Sequence, residues 1–122
     1  YRRVLATQSP DKDYAHLQAG IVLGIQRKYT EAAAELEQVV KNYVQSGYRE
    51  EAMFQLAQLD FEQGRYAPAV AGYTRVIASN PSSRFVPYAL MRRAAANYNL
   101  KDYNKTASDY MALLKEYPTH PI

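Results

Sequence analysis

The sequence contains no cysteine and no tryptophan, and only 2 histidines, 5 glycines and 6 prolines in 122 residues. Without cysteine there is no disulfide, no thiolate nucleophile, no thiolate zinc site and no iron–sulfur cluster. His16 and His120 are too few and too far apart for a histidine-built metal centre. No apolar run approaches the roughly 18 residues that a membrane-spanning helix needs. Neither sign of charge dominates: 15 Lys and Arg stand against 12 Asp and Glu, and a net charge of +3 is too mild to imply nucleic acid. Few Gly and Pro with 48% hydrophobic residues exclude a disordered tail and require a packed core. What is abundant is tyrosine, 12 residues against 3 Phe, which suggests a repeated architectural use.

The tyrosines are periodic. Tyr29, Tyr66 and Tyr103 are 37 residues apart, as are Ala15, Ala52 and Ala89, and Gly20, Ala57 and Ala94. Leu36, Tyr73 and Tyr110 keep the same register, with Val39, Val76 and Leu113, and Val40, Ile77 and Leu114. Agreement at several positions across three copies defines an internal repeat, running over residues 13–49, 50–86 and 87–122. The second half of each repeat carries one apolar helical face, for example Ala32, Leu36, Val39, Val40 and Tyr43. The first half is rich in helix formers, as in residues 50–57. Short polar turns separate the halves at residues 26–28, 63–65 and 100–102. Gly64 suits a helix C-terminus, and Pro68 falls in a first helical turn. No β alternation competes, so the expected class is all-α.

Repeat two reads Ala52, Leu56, Ala57, Gly64, Tyr66, Ala69, Tyr73, Val76, Pro81. This closely resembles the tetratricopeptide repeat, whose usual period is about 34. The resemblance covers nearly the whole chain and implies a right-handed α–α superhelix of three helix–turn–helix repeats. It departs from the pattern at His16, where Trp is usual, and at Val44, where Pro is usual. Arg93 stands where an apolar residue is usual, Thr106 where Ala is usual, and Asp60 and Asn97 at a common aromatic position. These departures are expected to weaken packing in the third repeat. The long repeat, with residues 80–83 and 116–118 at its ends, resembles bacterial cell-envelope members of the family, of the outer-membrane assembly lipoprotein and Tol-Pal-associated types. That resemblance implies a periplasmic or cell-envelope setting; the absence of Cys fits a periplasm and a cytoplasm equally.

Residues 1–10 resemble residues 73–81, so residues 1–12 are expected to be the end of a preceding repeat's helix and a linker. The last helix, with Tyr110, Leu113 and Leu114, has no evident polar cap, whereas terminal repeats normally carry one. The chain is therefore expected to be a piece of a longer solenoid.

Catalytic chemistry has little to stand on. Glu50-Glu51 and Glu35 with Glu37 read as solvated helix faces or complements to a helix dipole. His16 lacks a second ligand nearby and reads as a packed or half-exposed ring. Arg92-Arg93 could grip a carboxylate or phosphate bidentately, but an ion pair within the repeat is the simpler reading. No glycine-rich phosphate loop or Ser/His/Asp arrangement is present, and no cofactor or metal is implied. The tyrosines sit at helix starts and on apolar stripes, which favours packing over base stacking.

What remains is a binding surface. The resemblance implies that the first helices of successive repeats line a concave face. Carried over, the candidate peptide-binding residues are Leu17 and Ile21 in repeat one, Phe54, Gln58, Phe61 and Glu62 in repeat two, and Met91, Tyr98 and Asn99 in repeat three. Apolar anchors beside polar groups suit an extended or helical peptide. The expected function is a non-catalytic protein-interaction scaffold. Two alternatives stand beside it: self-assembly through uncapped repeat ends or the groove, and RNA or glycan binding through Tyr and Arg.

Overall fold

A computed structural model of the chain describes residues 11–43, 45–80 and 83–117. The expected end of a preceding helix within residues 1–10, the Val44 and Pro81 positions, and residues 118–122 lie outside the described residues. Six helices follow one another: α1 (Asp11–Ile25), α2 (Tyr29–Asn42), α3 (Arg49–Glu62), α4 (Tyr66–Ser79), α5 (Val86–Asn99) and α6 (Tyr103–Glu116). No strand occurs among the described residues. The all-α helical-repeat class is thus what the structure has. Tyr29, Tyr66 and Tyr103 are the first residues of α2, α4 and α6, so the 37-residue period of tyrosine is the period of the second helices.

The turn inside each helix pair is built the same way three times. Arg27, Gly64 and Lys101 have φ of 65°, 78° and 67°, the left-handed conformation that closes a helix. The backbone N–H of Gly64 donates to the Phe61 carbonyl at 3.0 Å, and that of Arg65 to the Asp60 carbonyl at 2.8 Å. Lys28 donates to Leu23 at 2.9 Å and Asp102 to Asn97 at 2.8 Å in the same manner. Two helix-end carbonyls are thereby satisfied per turn, and the chain reverses within three residues. Glycine takes this conformation without steric penalty, whereas Arg27 and Lys101 take it against theirs. On the far side, Pro68 lies in the first turn of α4, where its missing N–H has no intrahelical partner to lose.

The chain divides into two compact units, residues 1–52 and 53–122, with the division inside α3. In the first unit α1 packs on α2. A Cβ on Gly20 would lie 2.5 Å from Leu36 Cγ and 3.2 Å from the Ala32 carbonyl oxygen, so the close approach needs the bare backbone of glycine. Leu17, Ala32, Leu36 and Val39 are fully buried, each large one worth roughly 1.5–3 kcal/mol over exposure. His16 Nδ1 lies 2.6 Å from Glu35 Oε1, with its ring tilted against Tyr43. Beyond α2, Ser46 Oγ donates to Asp13 Oδ2 at 2.5 Å and Arg49 Nε to the Val40 carbonyl at 3.0 Å.

In the second unit α4 packs on α5 and α5 on α6. A Cβ on Gly72 would lie 2.7 Å from Ala57 Cβ and 3.2 Å from its Cα, which is how α3 and α4 come together. Tyr73, Val76, Ala89, Ala94 and Ala96 are fully buried. Two of the polar departures of repeat three, Arg93 and Thr106, have partners inside the fold. Arg93 and Asp109 form a bidentate pair at 2.8 and 2.7 Å. The Thr106 hydroxyl donates to the Ala94 and Asp102 carbonyls at 3.2 and 3.0 Å. Buried polarity is tolerated there because each of these groups is paired.

Candidate peptide-binding face

The candidates fall at i, i+4, i+7 and i+8 on α3 and at i, i+7 and i+8 on α5, so each helix presents them as one stripe. Phe54, Gln58, Phe61 and Glu62 lie on α3; Met91, Tyr98 and Asn99 lie on α5. Within the second unit the two helices are joined at this level by the Arg92 guanidinium, 5.9 Å above the Phe61 ring. At that distance a cation interacts favourably with an aromatic face. Tyr66 meets the same Phe61 ring edge-on at 5.4 Å, so α4 and α5 both reach Phe61 of α3. Tyr98 is 61% exposed and rests edge-on against Tyr103 at 5.5 Å.

The remaining candidates have other partners. Phe54 stacks on Phe85 and tilts against Tyr73, each at 5.7 Å between centroids; it is half-buried and holds the core. The Tyr73 hydroxyl donates to Gln58 Oε1 at 2.6 Å. Burial pushes the ionisation of that hydroxyl far above the ordinary tyrosine range, Arg92 opposes it, and Glu62 and Asp60 add to it. The group therefore remains a neutral donor that orients the Gln58 amide. Glu62 and Asn99 are exposed, and Asn99 Nδ2 donates to the Ala95 carbonyl at 2.9 Å. Met91 is half-buried, as is Ile21 in the first unit. Leu17 has 0% exposure and is a packing residue, with no surface to offer a ligand.

Arg92 is a member of this face that the family pattern does not assign to it. Adjacent to Arg93 in sequence, it invites pairing with that residue as an anion grip, yet the two neighbours diverge. Arg93 turns to Asp109 on α6, and Arg92 to Phe61 on α3. Successive helical residues point about 100° apart, and that angle is the signal in the sequence that separates them. Asp60 sits at the turn below Phe61; burial raises its carboxyl above the ordinary value of 3.8, and Arg65 opposes the shift. Among the described residues no group of three or more His, Asp or Glu could hold a metal ion. No described helix is long and apolar enough to cross a membrane.

The tetratricopeptide repeat pattern matches residues 17–83 and again residues 54–121. The chain therefore belongs to the tetratricopeptide repeat family. No curated protein matches it. Repeats of this family generally mediate protein–protein interaction.

Proposed function

We propose that this chain is a non-catalytic scaffold that binds a peptide segment of a protein partner on the α3–α5 face of the second unit. The observation that supports it best is Phe61, held from below by Tyr66 and covered by Arg92, on the same helix stripe as Gln58 and Glu62. Aromatic and arginine side chains are the usual energetic anchors of interfaces. Gln58, already oriented by Tyr73, and the exposed Glu62 and Asn99 supply backbone-reading groups around them. The anchors are ordered before binding, so little rotamer entropy is lost on the protein side.

Peptides selected from a random displayed library against the chain test this reading. Phe61→Ser and Tyr98→Ser should each weaken the selected peptides by about tenfold or more, with helicity unchanged by circular dichroism. Phe54→Ala is unsuitable because that ring packs on Tyr73 and Phe85. Unchanged binding by both serine variants would remove the face from consideration.

A second reading, self-association, is favoured by α6. Tyr110 and Leu114 are 43% and 69% exposed, whereas Tyr73 and Leu36, in register with Tyr110, are fully buried. Light scattering across concentration tests it: a monomer throughout, unaffected by Leu114→Lys, would dismiss it. The bacterial cell-envelope setting is proposed on the resemblance of the long repeat alone; fractionation of cells producing the protein would test it.

A further inference from the structure

Repeat three departs from its siblings at positions that meet in one place. On α5, Arg93 stands in register with Leu56 and Ala19, and Asn97 follows four residues later on the same face. On α6, Lys105, Ser108 and Asp109 are spaced i, i+3 and i+4, which again is one face. With Val70 and Thr74 of α4 these stripes enclose a half-open cleft of about 270 Å³. All of it lies in the second unit, and none of its residues belongs to the α3–α5 peptide face.

Two buried polar residues, Asn97 and Asp109, line the cleft beside the half-buried Arg93, with Thr74, Lys105 and Ser108 exposed around them. Arg93 donates from Nε and Nη2 to Asp109 and from Nη1 to Thr74 Oγ1 at 3.0 Å. A guanidinium has five N–H donors, so one remains on each terminal nitrogen. Asn97 is 4% exposed, and among the described residues its side-chain amide has no hydrogen-bond partner. A buried amide without a partner is costly and asks for an explanation. Lys105 stands at the rim with only a 3.8 Å approach to Asp102.

The spare polarity is mostly donors: the Asn97 NH₂, two Arg93 N–H groups, the Lys105 ammonium and the Ser108 hydroxyl. The formal charge of the lining is +1, from Arg93 and Lys105 against Asp109. We infer that this cleft takes the carboxylate side chain of an aspartate or glutamate presented by an acidic protein segment. One negative charge matches one positive, the two oxygens accept from Asn97 and Lys105, and Val70 lines a wall for the methylene carbons. A phosphate dianion would exceed the available charge, and its second negative charge would add to the repulsion from the Asp109 carboxylate that a single carboxylate already meets. Water could satisfy Asn97 but would not select for charge.

The test is an NMR titration of the whole chain with N-acetylglutamate amide and, as neutral isostere, N-acetylglutamine amide, reading the Asn97 side-chain NH₂ signals. The glutamate probe should give saturable shifts in the millimolar range, with the glutamine probe about tenfold weaker or more. Lys105→Glu, at an exposed site whose repeat-one counterpart is Glu31, should weaken the glutamate probe by about tenfold. Asn97→Leu, after Leu23 in the same register, should abolish its saturable shifts of the Ser108 and Asp109 backbone amides. Equal binding of both probes, indifference to Lys105→Glu, or no saturation up to roughly 50 mM would each overturn the assignment and leave a water-filled cleft. Tighter binding of methyl phosphate than of the glutamate probe would overturn it in favour of a phosphate site.

Discussion

Replacing Arg93 by leucine restores the apolar residue that repeat two carries as Leu56, and should nonetheless destabilise the protein. The Asp109 side chain is 8% exposed and the Arg93 side chain 22%. Arg93→Leu therefore strands a carboxylate in a poorly hydrated position. Breaking a buried pair from one side costs about 3–5 kcal/mol. The partial exposure of Arg93 and the access of water to the half-open cleft argue for the lower end, about 3 kcal/mol. Asp109→Ala strands the more flexible guanidinium, which can turn towards water, and should cost about 2 kcal/mol. The double variant removes both charges and approaches the uncharged residues, Leu56 and Gly72, that hold these two positions in repeat two. It should lie within about 1 kcal/mol of the parent, because replacing a whole buried pair is often neutral. The coupling energy is then on the order of 4 kcal/mol. Urea unfolding followed by far-ultraviolet circular dichroism measures all four proteins. The coupling should persist in about 1 M salt, since a buried pair is poorly screened. Additive single effects, or a loss below about 1 kcal/mol for Arg93→Leu, would show that the pair behaves like a surface ion pair and would refute the reasoning.

Other expectations follow from the same geometry. Gly72→Ala gains about 1 kcal/mol of helix propensity but places a methyl 2.7 Å from Ala57 Cβ; the helices must part, so a net loss of about 1–2 kcal/mol in the same unfolding assay is expected. Lys101→Gly relieves a side chain at φ 67° and should stabilise by about 0.5–1 kcal/mol, while Gly64→Ala should lose a similar amount. Asn97→Leu removes an unpaired buried amide and should raise stability by about 1–2 kcal/mol; a loss of stability would mean that the amide is satisfied. Burial raises the Asp60 carboxyl, so the folded state holds that proton more tightly than the unfolded chain. Its ionised form opposes folding in full above the raised value, and the penalty fades as pH falls from that value to 3.8 and is absent below it. Asp60→Asn should leave stability at pH 7 equal or higher, because the Arg65 side chain that Asp60 pairs with at 3.4 Å is itself 60% exposed, and the difference should shrink on acidification. A variant weaker than the parent at pH 7 would contradict this.

The face on α3 and α5 is partly legible in the sequence. Helical spacing places Gln58 with Phe61 and with Glu62, and Met91 with Tyr98, because side chains three, four and seven apart share a face in any helix. Spacing does not say which members of a stripe turn inwards. Leu17 is spent on the core and Phe54 on Tyr73 and Phe85, since those outcomes depend on what the neighbouring helices present. Arg92 joins the face through Phe61, a residue 31 positions earlier.

The 122 residues by themselves determined the helix pairs, their 37-residue period, the tyrosine that starts each second helix and the small residues that let helices approach. All of these are local or periodic properties, decided within a few turns of chain or by repetition. Only the tertiary structure decided the fate of the third repeat's polar residues. Arg93 and Asp109 are 16 positions apart on different helices, and neither has a counterpart charge in repeat two. Read singly, each is a defect in an apolar pattern. Brought together, they are a paired buried charge beside an unpaired amide, because pairing is set by distance in space and not along the chain.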